Sequence, residues 1–347
     1  MDGIPQTRRE PCRICRNPEG IKVGETEYWD LHRADLVACS SCGLIQLDPM
    51  PSGEIIATGC HAYYLFELAS TPRQEQTRNR IRNFRRGILF GSLIRRKGFR
   101  PAQILEFGPG TGHFCAGIKV IFPESIITVA DIVEDVLRNN EVVHGFRSIQ
   151  GSPEEFGNGR KERYDLIIAR DILEHVTDVG KVIFNISGLL KAGGLFHFLT
   201  PNGTEDAWPH ILAWKLYHRP SELLINHVNY FDGKGLKDLL EWNGLVPLQY
   251  YTYQLKTTFR GKGWSENPKL AAGLSAGMSA KNYIDLHGKN REEEITGQGT
   301  VIPEWMSKPR SQWPVVFYCW LKHHRMLRIP PGWNTGHEIH GLFLKNQ

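Results

Sequence analysis

The stretch Ile104-Leu105-Glu106-Phe107-Gly108-Pro109-Gly110-Thr111-Gly112 decides the fold of this chain of 347 residues. Its apolar start predicts a buried strand, and the residues that follow, His113 to Lys119, predict a helix. The three glycines at alternate positions let the backbone turn sharply and approach a ligand beside which no side chain fits. The stretch therefore predicts a strand, a ligand-binding loop and a helix, which form the first unit of a parallel α/β sheet.

Short apolar strands and helices continue to alternate after this loop, as in an α/β protein with a Rossmann-like sheet. Helices are predicted to begin near Gly112, Glu134, Asp178 and Gly235. The predicted strands are Ile104–Phe107, Ile126–Ala130, Leu166–Ala169, Leu195–Leu199, Leu245–Tyr250 and, at the end of the chain, Ile339–Leu344.

The pattern divides the chain into five parts. Residues 1–60 are rich in turn formers and predict a small metal-stapled module, and residues 61–100 predict a basic connecting helix. Residues 101–256 hold the α/β core, and residues 334–347 hold its final strand. Between them, residues 257–333 predict a late insertion. Because long inserts beside a binding site are often functional, this insertion is expected to be a lid or a dimer surface.

Four of the seven cysteines form two CxxC pairs, Cys12 with Cys15 and Cys39 with Cys42, separated by 23 residues. This spacing is typical of a zinc ribbon, in which each pair aims two sulfurs at one tetrahedral ion. Four thiolates leave no coordination position for water, so the zinc is predicted to be structural rather than catalytic.

Two acids accompany the glycine loop. Glu106 lies two residues before the first glycine, and Asp131 ends the next predicted strand. A carboxylate in the loop repels a pyrophosphate but attracts a cationic amino-acid end, whereas a carboxylate at the end of the second strand suits a ribose diol. This combination favours S-adenosylmethionine over NAD as the cofactor.

Several motifs occur in an order that is familiar from one enzyme class. They are ILEFGPGTGHF, VADI, YDLIIARDILEHVTD, LLKAGGLFHFLTPN and HVNYFDGKGLKDLLEWNGL. With them, the chain resembles the class I S-adenosylmethionine-dependent methyltransferases. Within that class it is similar to the sugar and natural-product subgroup that carries an amino-terminal CxxC…CxxCGL zinc ribbon. The resemblance covers residues 12–255 and returns at 337–345.

The resemblance implies which residues hold the cofactor. The acid and the glycines of the loop would line the methionine end, Asp131 would take the ribose hydroxyls, and Ile132 would flank the adenine. Many relatives take the adenine amino group with an Asp where this chain has Ser152, which is a departure from the family pattern. The implied cofactor residues are Glu106, Gly108, Gly110, Gly112, Asp131, Ile132, Ser152 and Asp171.

Two histidines are candidates for the catalytic step. Methyl transfer is an in-line displacement, so an enzyme mainly aligns the reactants and supplies a base when the nucleophile must lose a proton. His227 lies on the segment in which relatives build the substrate pocket, and it is predicted to be the base or an acceptor contact; packing or hydrogen bonding is the alternative. His175 is predicted to point near the cofactor, and it would share one helix face with Asp171, four residues earlier. The similar stretch of sugar C-methyltransferases reads Tyr-His-Glu-His, of which only His227 is kept here.

The net charge of +5 is unevenly distributed, because residues 73–100 contain ten basic residues and one acid. Ile81, Phe84 and Ile88 recur at helical spacing in this stretch and predict a docked helix whose arginines face water. The leading hypothesis is methylation of a small molecule, a glycan or a lipid precursor. One alternative is an RNA methyltransferase that binds RNA through the ribbon and the basic helix. The other is a cofactor-binding scaffold without catalysis.

Nucleic acid is the less favoured partner, because Arg170-Asp171-Ile172-Leu173 lacks the Asn/Asp-Pro-Pro-aromatic run used on base amines. Uncharged apolar stretches such as Ser311–Leu321 are shorter than the roughly 18–20 residues that a bilayer span needs. The amino terminus has no apolar signal core. The chain is therefore expected to be cytoplasmic, without a membrane span, and its oligomeric state is left open.

Overall fold

The computed structural model describes residues 5–7, 10–29, 31–70, 73–157, 163–218, 227–253 and 338–346. The predicted insertion at 257–333 lies outside these residues. The strands, in chain order, are β1 (Pro5–Thr7), β2 (Glu19–Tyr28), β3 (His32–Cys39), β4 (Ile45–Asp48), β5 (Gln103–Phe107), β6 (Ile126–Asp131), β7 (Arg147–Gln150), β8 (Tyr164–Arg170), β9 (Leu190–Pro201), β10 (Asn229–Tyr230), β11 (Leu245–Tyr253) and β12 (Glu338–Lys345). The helices are α1 (Gly53–Ser70), α2 (Arg73–Arg96), α3 (His113–Ile121), α4 (Glu134–His144), α5 (Val179–Leu189), α6 (Gly203–Asp206), α7 (Trp208–Tyr217) and α8 (Gly233–Trp242), with a 3-10 turn at Leu173–His175.

A seven-stranded sheet in the order β11-β12-β9-β8-β5-β6-β7 forms the centre of the molecule. Its strands from β5 to β9 pair in parallel, and β12 runs antiparallel between β9 and β11. The central strands are buried on both faces, as parallel strands covered by helices are, and Leu105, Leu166 and Ile167 have no exposed surface. The predicted α/β sheet is thereby confirmed, and β7 is an additional strand.

The parallel register brings the ends of three strands to one edge of this sheet. Phe107 is paired with Ala130 on β6 and with Ala169 on β8. Glu106, Asp131 and Arg170 therefore lie near the carboxyl ends of adjacent strands, which is where ligands bind in open α/β sheets.

A second, five-stranded sheet contains the cysteine pairs and has the order β1-β2-β3-β4-β10. Its last strand comes from the core, because Asn229 pairs with Gln46 and Tyr230 with Ile45. The amino-terminal region and the core therefore share one sheet.

Two helices occupy the region in which a single basic helix was expected after residue 60. The first begins at Gly53, where the Ser52 hydroxyl accepts a hydrogen bond from the backbone N–H of Ile55. The second begins at Arg73, directly after Pro72, a residue that disfavours helical backbone in the residue before it. The first helix therefore begins earlier than predicted because of capping by Ser52, which the spacing of apolar residues does not reveal.

Helix α2 packs very closely on α3. A methyl group added at Gly87 would lie 1.9 Å from the backbone oxygen of Phe114, so only glycine fits at this crossing. Phe84 and Ile88 are buried against α3 with Ile81 beside them, as their spacing predicts. Within the described ranges, no helix combines the length and the apolar character that crossing a bilayer requires.

Candidate active site

The glycine loop between β5 and α3 has a left-handed backbone. Gly108, Gly110 and Gly112 have φ values of 59°, 53° and 73°, which residues with a Cβ rarely adopt. A Cβ at Gly108 would lie 2.0 Å from the Cδ1 atom of Ile172, whereas the space beside Gly110 is open to at least 4 Å. The Asn140 side chain donates a hydrogen bond of 2.9 Å to the Gly110 carbonyl. The loop thus forms a fixed cradle of backbone with free space beside its middle glycine.

Glu106 lies beneath this loop and is 2% exposed. Its Oε2 atom has no hydrogen-bond partner. Burial raises the pKa of Glu106 to about 7, although the nearby Arg170 guanidinium and a hydrogen bond with Cys115 oppose the shift. A buried carboxylate oxygen without a partner is a ready acceptor for a cationic group, so the site fits the ammonium of a bound amino acid.

Asp131 ends β6, the strand that pairs in parallel with the Glu106 strand β5. Its Oδ1 atom accepts a hydrogen bond of 2.9 Å from the backbone N–H of Val133. Burial raises the pKa of Asp131 to about 6, and backbone hydrogen bonds from Val133 and Ile132 oppose this shift. Ser152 lies near this edge too, because the N–H of Gly151 donates to the Asp131 carbonyl at 3.0 Å. These residues lie, with the glycine loop, along the carboxyl edge of the parallel sheet, the region that is called the cleft from here on.

The motif after β8 differs from its prediction. Asp171 has a φ value of 56°, and only Leu173–His175 forms a 3-10 turn, so Asp171 and His175 do not share a helix face. The Asn229 side chain donates to the carbonyls of Leu173 and Val176, at 3.3 and 2.7 Å, and these are the groups that a longer helix would need. Tertiary hydrogen bonds therefore replace the helix that the spacing suggested.

The turn brings Glu174 and His175 to His227. One possible ligand atom from each of these three residues lies within 4.8 Å of the others. The rings of His175 and His227 are 4.9 Å apart in a T-shaped arrangement. On its other side, Nδ1 of His227 forms a hydrogen bond of 2.5 Å with the Asp206 carboxylate. Both histidines predicted as catalytic residues thus lie together, between two acids.

The charges in this cluster are strongly coupled. The pKa of His227 is raised to about 9, because the carboxylates of Asp206, Glu174 and Asp171 outweigh the effect of burial. Burial and the neighbouring Asp171 raise the pKa of Glu174 to about 8. The pKa of Asp171 is also raised, first by desolvation, although the nearby Arg170 and His227 oppose the shift. Three acidic side chains thus interact with His227, whose ring lies beside that of His175.

Comparison with known proteins identifies the kind of domain that contains this cleft. The sequence profile of a family described as "Methyltransferase domain" matches residues 75–250, just over half of the chain. The chain belongs to this methyltransferase family. The match includes the glycine loop, both acids and the catalytic candidates of the methyltransferase.

Two curated proteins similar to the methyltransferase share one name. The ubiquinone biosynthesis O-methyltransferase of Bartonella tribocorum is 28% identical over 145 residues, which are 36% of this chain and 58% of the relative. The enzyme of the same name from Serratia proteamaculans is 30% identical over 105 residues, 26% of this chain and 42% of the relative. The chain thus spans about half the length of these curated relatives.

Among solved structures, an O-methyltransferase from a trans-AT polyketide synthase multienzyme of Brevibacillus brevis, in complex with S-adenosyl-L-homocysteine, is 12% identical. The similarity covers 81% of this chain and 79% of that chain, with a TM-score of 0.44.

The four ribbon cysteines of the methyltransferase also lie together. Sγ of Cys12 is 3.4 Å from Sγ of Cys42, and Sγ of Cys15 is 3.5 Å from Sγ of Cys39. These separations approximate the edges of a tetrahedron with metal–sulfur bonds of about 2.3 Å. The donor set therefore fits the predicted zinc ion.

Three residues that contact the candidate histidines or their turn were not predicted from the sequence: Asp206, Asn229 and Glu174 as a buried acid. The chain separates Asp206 from its partner His227 by 20 residues, and no motif marks the pair. Asn229 is 1% exposed. Its position two residues after His227 is the one sequence feature that could have indicated a role in the site. These contacts join residues that are far apart in the chain, so no local sequence pattern marks them.

Proposed function

We propose that this methyltransferase transfers the methyl group of S-adenosylmethionine to an oxygen of a small-molecule acceptor, such as a glycan or lipid precursor. The observation that carries the proposal is the buried, unpartnered Oε2 atom of Glu106, one strand away from Asp131. An ammonium and a ribose diol are the two polar ends of an amino-acid nucleoside, and each suits one of these two carboxylates. The names of the curated relatives, which are O-methyltransferases of ubiquinone biosynthesis, support a small acceptor and its oxygen.

The residues of the chain act mainly by positioning. Glu106 would hold the ammonium, Asp131 the ribose hydroxyls, and Ile132 one face of the adenine. The backbone at Gly110 leaves room for the methionine end, because this residue has no side chain and the space beside it is open. At Gly108 the absence of a side chain instead makes room for Ile172. When bound, S-adenosylmethionine supplies an electrophilic methyl group on its sulfonium. Alignment of the acceptor oxygen with that methyl group is then the main catalytic contribution.

The acceptor end is assigned to His227 and His175. His227 is the catalytic candidate with the best-defined orientation, because Asp206 binds Nδ1 and thereby fixes the ring. Its side chain is 23% exposed, so a ligand in the cleft can reach it. The remaining residues proposed for the cofactor side are Gly112, Ser152 and Asp171. Asp171 also interacts electrostatically with His227. Zinc held by the four ribbon cysteines would be structural.

The proposal is tested with methyl-labelled S-adenosylmethionine and an extract of the cells that make the protein. Label is expected in low-molecular-weight metabolites or lipids, and it should disappear with Asp131→Ala. His227→Gln is expected to abolish labelling while binding of S-adenosylhomocysteine stays within about twofold, because the two sites are separate. His218→Gln, on the exposed end of α7, is the matched control. Label in RNA or protein, or labelling that persists in Asp131→Ala, would overturn the proposal.

A further inference from the structure

The cluster of Glu174, His175 and His227 has the composition of a metal site. It offers one carboxylate and two imidazoles, with one ligand atom of each within 4.8 Å of the other two. Ligand atoms that bind one ion at about 2.0–2.2 Å lie about 3–4 Å apart, so small side-chain movements suffice to bring these three onto one ion. The ribbon, in contrast, offers four sulfurs.

A second observation points to a missing ligand at Glu174. This side chain is 1% exposed. Its Oε2 atom accepts a hydrogen bond of 2.8 Å from the Thr200 hydroxyl, whereas its Oε1 atom is buried without a partner. Leaving a buried carboxylate oxygen unsatisfied is costly, and a cation would remove that cost.

His227 is oriented as metal-binding histidines are. Its Nδ1 atom is engaged by Asp206 at 2.5 Å, which leaves Nε2 as the available nitrogen. A carboxylate on the far nitrogen fixes the ring and makes the near nitrogen a better ligand. The pair Asp206–His227 thus provides an outer shell for an ion bound by His227.

From these contacts we propose that the cleft binds one divalent cation through Oε1 of Glu174, His175 and Nε2 of His227. Two imidazoles and one carboxylate suit first-row transition metals, and three protein ligands leave open positions. The acidic surroundings, with Asp171 and Asp206 facing His227, favour a cation in this place. The role of the cation rests on the proposed function: an acceptor hydroxyl bound to it would lose its proton to water more readily. The resulting oxygen would form a bond to the methyl carbon as the bond from that carbon to sulfur breaks, and S-adenosylhomocysteine would leave.

The test is binding of Co²⁺ to the full-length protein with its ribbon already loaded with zinc, measured by equilibrium dialysis and visible absorption without cofactor or acceptor. We expect one Co²⁺ per chain with d–d bands and without thiolate-to-cobalt charge transfer. Glu174→Gln, His175→Gln and His227→Gln should each weaken binding by at least about tenfold, and Asp206→Asn by about 10–100-fold. His218→Gln is the control for nonspecific histidine binding and should be unchanged.

Two results would overturn the inference. One is the absence of bound Co²⁺ in zinc-loaded protein that still binds S-adenosylhomocysteine. The other is Co²⁺ binding that survives all three ligand substitutions. S-adenosylhomocysteine affinity, measured on every variant, reports that each variant is folded. Since Co²⁺ binding is measured without methyl transfer, failure of this site and failure of the proposed activity give different results.

Discussion

The affinity for S-adenosylhomocysteine should fall steeply between about pH 8 and about pH 6. Both acids of the proposed cofactor site have raised pKa values, about 7 for Glu106 and about 6 for Asp131. Binding needs the carboxylate forms, so the sign is a loss of affinity as the pH falls through these values. The ionised fraction of Glu106 drops about tenfold over this interval and that of Asp131 about twofold. The expected loss is therefore about 20-fold.

Isothermal titration calorimetry across this pH range measures the effect, with S-adenosylhomocysteine as a stable ligand. Glu106→Gln keeps the shape of the side chain but removes a charged hydrogen bond of about 1.5–3 kcal/mol, which corresponds to about 10–150-fold in affinity. The variant should also lose most of the pH dependence and retain the twofold part due to Asp131. Glu141→Gln, on the exposed face of α4, is the control. An affinity that stays constant from about pH 8 to about pH 6, or a Glu106→Gln variant with the full slope, would refute the assignment.

Three further predictions concern the framework of the site. Removal of the ribbon metal, by chelation or by Cys39→Ser, should release about one zinc ion per chain and lower the melting temperature, as metal analysis and calorimetry would show; an unchanged melting temperature would argue against a structural ion. Gly87→Ala should destabilise the protein by about 1–3 kcal/mol in urea unfolding, because the new Cβ would lie 1.9 Å from a backbone oxygen of α3. Gly188→Ala, at an open helical position, should instead stabilise it by about 0.5–1 kcal/mol, and equal effects of the two would contradict this reasoning. Asn229→Ala should lower kcat at least about tenfold and leave S-adenosylhomocysteine affinity within about twofold, because it frees the turn that carries Glu174; a parallel loss of both would show a general defect in folding.

The geometry of the residues proposed for the cofactor was predictable because it depends on local sequence. Glycines at positions with positive φ, an acid before them and an acid after the next strand all lie within 26 residues, and each follows from the backbone geometry of one βαβ unit. The spacing of the four ribbon cysteines was likewise sufficient to predict that they lie together. In both cases the distance along the chain fixes the distance in space.

The cluster of Glu174, His175 and His227 was not predictable in the same way. Asp171 to His175 has the spacing of a helix turn, but the backbone at Asp171 is left-handed and the turn is held by the side chain of Asn229 from another strand. Asp206 meets His227 through the packing of α6 beside β10. These are long-range contacts between short elements, and no periodicity encodes them.

The amino-terminal sheet is hydrogen-bonded to the segment that carries the cluster of Glu174, His175 and His227. The carbonyl of Val228 accepts a hydrogen bond of 3.2 Å from Leu47 in the ribbon sheet, and its N–H donates at 2.9 Å to the carbonyl of Glu174 in the turn. The metal-binding loop itself is packed on the core, since a Cβ at Gly235 would lie 2.4 Å from the Cys42 carbonyl. Because β10 pairs with β4, the ribbon helps to set the position of the residues between it and the turn, His227 among them. The ribbon therefore supports the segment on which His227 lies, although none of its residues belongs to the cluster of Glu174, His175 and His227.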